Sequence, residues 1–136
     1  MSCSRSSRYA LVAGAAVALA CGGSTREAFA IKQFFDEFKA VYVKPDSADP
    51  AEKALVAEVE AAKCNVCHMG TSKKERNVYG HALAERLDKK EDAKNVEKIK
   101  AALQEVAGLS SDPSKPDAPT FGKLIEEGKL PGGEAK

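Results

Sequence analysis

The chain has 136 residues, enough for one small domain and an export segment. Its formal net charge of +1 gives no electrostatic footprint for nucleic acid, and 30% charged with 43% hydrophobic residues is an ordinary soluble composition. Aromatic residues are few, at 6%, and Trp is absent. A domain this size buries a modest share of its surface, so a large apolar cofactor would add much to its core.

The N-terminus reads as an export signal spanning 1–30. Arg5 and Arg8 form a positive start, and Ala10 to Ala20 is an uninterrupted apolar run. At about eleven residues this run suits a signal h-region and is too short for a bilayer-spanning helix. Two cleavage sites present themselves. Ala28-Phe29-Ala30 is an A-x-A site that leaves Ile31 first. Ala18-Leu19-Ala20-Cys21 resembles a lipoprotein box, which would tether the protein to a membrane through a lipidated Cys21. An uncleaved anchor is the third reading. The first predicts an exported, periplasmic protein.

After the export signal, nearly every segment reads as helix. Ile31 to Val43 carries apolar residues at 31, 34, 35, 38, 41 and 42, one stripe at helical spacing. Phe34, Phe35, Phe38 and Tyr42 are packing residues on that stripe, or in part contacts for a bound cofactor. Asp49 caps a second helix with Pro50 at its first position, and Leu55, Val56, Val59 and Ala62 form its apolar face. That helix runs directly into Cys64.

Of four cysteines, Cys3 and Cys21 lie in the export segment, which leaves Cys64 and Cys67 in the body. A disulfide across two intervening residues closes a tiny loop and stabilises little. Cys64-Asn65-Val66-Cys67-His68 is C-x-x-C-H, the pattern of c-type haem attachment. Two thiols at this spacing reach the two vinyl groups on one porphyrin edge, and the next residue offers an imidazole to the iron. A thioredoxin-like pair would need βαβ flanks, which are missing. A zinc site would use Cys64, Cys67, His68 and His81, but adjacent Cys67 and His68 would have to bind one ion together.

Residues 69 to 76 form a loop. Asn77 caps a third helix to about Lys89, with Tyr79, Ala82, Leu83, Arg86 and Leu87 on its face. A fourth spans Ala93 to Ala107, with Val96, Ile99, Leu103 and Val106 inward and Gly108 ending it. Asp112 to Pro119, with three prolines, is a linker or surface arm. Thr120 caps a last helix with Phe121, Leu124 and Ile125 packing, and Gly128 ends it. The tail beyond is expected to fray.

On the haem motif, and on Asn77-Val78-Tyr79-Gly80 after it, the chain resembles the small exported monohaem cytochromes c of bacteria, class I-like. The matching stretch runs from about Asp49 to Leu109, and C-x-x-C-H is its specific part. The resemblance implies an all-α cytochrome c-like domain over 31–109, with its core at 49–109, around one covalent haem c. Cys64 and Cys67 become its thioether attachments and His68 the proximal iron ligand. Residues 110–136 are a Pro-rich linker, short helix and tail. The implied function is electron transfer by Fe2+/Fe3+ cycling with redox partner proteins, not catalysis.

Two features depart from the family. It supplies a distal Met well downstream, whereas this chain has only Met1 and Met69, and Met69 adjoins the proximal His. It often orients the proximal imidazole through a proline carbonyl, yet no Pro lies between Ala51 and Asp112, so another acceptor is required. His81, the only other His, is either the distal ligand or an exposed helix residue. An open iron site for gas or peroxide, and a small zinc domain, are the alternative functions. Lys73, Lys74 and Arg76 either pair with haem propionates, dock an acidic partner, or form a solvated loop. Tyr79 is a core residue or a propionate partner.

Overall fold

The computed structural model describes residues 25–71 and 73–134, with side chains from residue 32 onward. Its helices are α1 (Thr25–Tyr42), α2 (Pro50–Ala62), α3 (Val78–Ala84), α4 (Val96–Ala107) and α5 (Phe121–Glu126). A 3-10 turn at Lys63–Val66 continues α2. Among the described residues there is no strand, only two isolated antiparallel bridges, His68 with Arg76 and Ser110 with Thr120. Over the described residues the chain is all-α, as the helical periodicity predicts. The apolar export run and Cys21 lie outside the described residues. No helix among the described residues is long and apolar enough to cross a membrane.

Local chemistry explains where the helices start. Asp49 accepts from Ala51 N at 2.8 Å and Glu52 N at 3.2 Å, and Pro50 fills a position whose N–H would be unpaired anyway. Asn77, Asn95 and Thr120 cap α3, α4 and α5 in the same way, each accepting from the N–H three residues on. Helix α1 starts six residues before the expected Ile31 and runs through Ala28-Phe29-Ala30.

Helix α3 stops at Ala84, five residues short of the expected Lys89. Side chains beyond it capture the backbone donors a longer helix would use. Asp92 accepts from Asp88 N at 2.8 Å, and Asp88 accepts from Lys90 N and Glu91 N at 2.7 and 3.0 Å. The same turn delays α4 to Val96 rather than Ala93.

One core joins all five helices. It contains Phe38 from α1, Leu55 and Val59 from α2, Tyr79 and Leu83 from α3, Ile99, Leu103 and Val106 from α4, and Phe121 and Ile125 from α5. Tyr79 sits edge-on between Phe38 and Phe121, at 5.9 and 5.2 Å between ring centroids. Helix α1 packs on α4, where the Tyr42 hydroxyl donates to Leu103 O at 2.9 Å.

The C-terminal tail packs on the domain at 130–132 rather than fraying from Pro131, and residues 135–136 lie outside those described. Leu130 and Pro131 are buried, and Gly132 lies against the Asn77 side chain so tightly that a Cβ there would collide with it. The proline-rich segment is a closed surface loop, because Ser111 N donates to Pro119 O at 2.9 Å.

Candidate functional site

The site begins where α2 ends. Val59 and Ala62 hold the last turn in the core, and Val66 is buried one turn later. Between them Lys63 adopts φ 50°, a left-handed value rare for a side-chain-bearing residue, and the chain tightens into the 3-10 turn. The Cys67 and His68 amides both donate to Cys64 O, at 3.3 and 3.1 Å. This coil brings Cys64, Cys67 and His68 to the wall of a single cavity.

Asn77 locks the coil. Its amide nitrogen donates to Asn65 O at 3.2 Å and Val66 O at 3.0 Å, while its side-chain oxygen accepts from Gly80 N at 2.9 Å. Its backbone N–H donates to Cys67 O at 3.1 Å. One buried side chain therefore caps α3 and satisfies two carbonyls of the C-x-x-C-H turn. Gly80 completes the junction, since α3 crosses the turn with no room for a Cβ against the Cys67 carbonyl.

The loop over 69–76 folds back on the motif. Met69 N donates to Glu75 O at 3.0 Å, and His68 Nδ1 lies 3.2 Å from the same oxygen. A carbonyl only accepts, so Nδ1 carries the proton of the neutral ring. Nε2 then keeps a free lone pair, and it has no protein partner among the described residues. Glu75 supplies by its backbone the acceptor that the missing proline left open. Burial lowers the His68 pKa, and the cations Arg76, Lys89 and Lys73 add to this against the opposing Glu75 bond. The neutral form of the ring is favoured.

The Cys67 thiol is pushed up to about 12 by burial, with Cys64 nearby adding to it. A half-buried, protonated thiol is a poor partner for thiol–disulfide exchange. Both cysteines are free.

The cavity measures about 300 Å3, at the lower end of the usual range for small-molecule and cofactor sites. Phe34 and Phe35 of α1 wall one part, with Leu83, Ala84 and Leu87 in and after α3. Four cations, Lys32, Lys73, Arg76 and Lys89, stand on its lining, and no carboxylate does. Two thiols able to form thioethers, one oriented imidazole and apolar walls with a cationic margin are what a covalent haem needs.

The other expected residues sit elsewhere. His81 is exposed on α3 and does not line the cavity, although its neighbours Gly80, Leu83 and Ala84 do. Among the described residues no three His, Cys, Asp or Glu side chains converge to hold a metal ion. The four-ligand zinc set is therefore not assembled. Lys74 is off the cavity wall, and Tyr79, Phe38 and Tyr42 belong to the core. Sequence reasoning missed Lys32 and Lys89 as lining residues, the second role of Asn77 and the Glu75 carbonyl. For Asn77, the cap position in the Asn-Val-Tyr-Gly stretch was the available signal. Compared with protein-family models, curated proteins and solved structures, the chain finds no match in any of the three.

Proposed function

We propose that this protein is an exported c-type cytochrome that carries single electrons between partner proteins. The observation that carries the reading is the joint placement of Cys64, Cys67 and His68 on one apolar cavity, with His68 Nδ1 engaged by Glu75 O and Nε2 left to ligate. Bound haem c supplies an iron that cycles between ferrous and ferric states.

The chain's own residues hold and tune that group. Cys64 and Cys67 fasten one porphyrin edge to a turn that Asn77 and Gly80 rigidify. His68 ligates in a fixed ring orientation. Phe34, Phe35, Leu83 and Leu87 exclude water, which sets the local dielectric and hence the potential. Lys73 and Arg76, with Lys32 and Lys89, pair with the propionates, and those left over face acidic partners.

Residues 1–30 act as a cleaved export signal. Cutting after Ala30 removes the first turns of α1 but none of Phe34, Phe35, Phe38, Val41 or Tyr42, its packing residues. Lipidation at Cys21 would instead keep the whole helix on a membrane tether.

The test is spectroelectrochemistry of protein matured with a haem-attachment system. The reading expects a c-type absorption spectrum and a reversible one-electron couple. Haem that extracts freely, or protein that takes none, overturns it.

A further inference from the structure

We propose that the protein leaves the sixth position of its haem iron without a side-chain ligand and presents it to small monovalent anions. The inference rests on the haem reading above.

Few donors are available. The whole sequence holds two His and two Met. His68 is one. Met69 follows it directly, half exposed, and cannot reach the other side of a group that His68 ligates. Met1 belongs to the export segment. His81 is exposed, about 100° around α3 from Gly80, which does face the cavity. Among the described residues no second imidazole or thioether therefore lines the cavity. Its remaining nitrogen groups are Lys32, Lys73 and Lys89, with the guanidinium of Arg76. A charged ammonium has three donors and no lone pair, so it attracts anions rather than ligating iron. The apolar lining residues Phe34, Phe35, Leu83 and Leu87 offer no donor atom.

Charge then selects the ligand. Lys32, Lys73, Arg76 and Lys89 form no ion pair among the described residues, and no Asp or Glu lines the cavity with them. Two propionates neutralise two of the four. A cleft of residual positive charge with apolar walls concentrates anions. The ligand class is a small anion that donates a lone pair to ferric iron, and this coordination transfers no electron.

Azide is the anionic probe and carbon monoxide the neutral one. Retention of haem through acid–acetone extraction is read first, and its failure counts against the haem reading rather than this inference. The ferric holoprotein is then expected to be high-spin, and azide to convert it saturably to low-spin. The double substitution Lys32→Gln, Lys89→Gln should raise the azide Kd about three- to tenfold, less at high salt. Carbon monoxide binding to the ferrous form should change less than about twofold, because a neutral ligand does not feel those charges. A low-spin protein that neither probe alters overturns the proposal. So does a low-spin wild type that becomes high-spin in His81→Ala, Lys32→Ala, Lys73→Ala or Lys89→Ala. Equal weakening of azide and carbon monoxide overturns the anion selectivity.

Discussion

Gly80 lies so close to Cys67 that a Cβ on Gly80 would collide with the Cys67 carbonyl oxygen. Helix α3 and the C-x-x-C-H turn are thereby one rigid unit. Gly80→Ala must push them apart, at a cost of about 1–3 kcal/mol. For a domain of this size that lowers Tm by roughly 4–8 °C per kcal/mol. Thermal melting followed by circular dichroism reads it. A melt equal to wild type would show that the junction yields easily.

Asn77→Ala should be at least as damaging. It removes the α3 cap, worth about 1 kcal/mol, and strips the amide donor from the Asn65 and Val66 carbonyls. It also opens a space beneath Gly132. The expected loss is about 2–4 kcal/mol by chemical denaturation, with lower holoprotein yield. A loss confined to a few tenths would mean that the turn holds itself.

How much of this was legible in the sequence differs residue by residue. The Asp49-Pro50 start of α2 and the Asn77 cap were readable because capping depends on residue type at one position. C-x-x-C-H was readable because its spacing is its chemistry. The Glu75 carbonyl as partner of His68 was not, since every residue carries a carbonyl and only the fold of 69–76 selects one. The end of α3 was hidden because Asp88 and Asp92 act as helix breakers only when they reach each other's neighbourhood. The tail looked disposable by composition, yet Gly132 makes it fit over Asn77.

Tyr79→Phe should leave stability unchanged or raise it slightly. The Tyr79 hydroxyl is buried without a hydrogen-bond partner among the described residues, and burial raises its pKa, with Cys67 and Tyr42 adding to this. Removing an unsatisfied buried hydroxyl removes its desolvation penalty while the ring stays between Phe38 and Phe121. A loss above about 1 kcal/mol would reveal a partner in the loaded protein.

Asp92 predicts an acid limb. Its carboxylate is buried, and it is held below the usual carboxylate range first by Lys98 and then by the Asp88 N–H. A depressed folded pKa contributes stability above the unfolded value, about 3.9, and loses it as pH falls through the folded value. Denaturation midpoints should therefore be flat near neutrality on this account and drop below about pH 4. Asp92→Asn should weaken neutral stability and flatten that limb. An unchanged limb would assign it to other carboxylates.

The central claim is that Cys64 and Cys67 carry haem covalently. Intact-mass spectrometry under denaturing conditions, on protein exported in cells with haem-attachment machinery, tests it most directly. The account predicts the mass of the chain from Ile31 plus one haem, with neither thiol open to alkylation, and no haem mass once both cysteines are replaced by Ala. A mass of polypeptide alone, with both thiols alkylated, would contradict it.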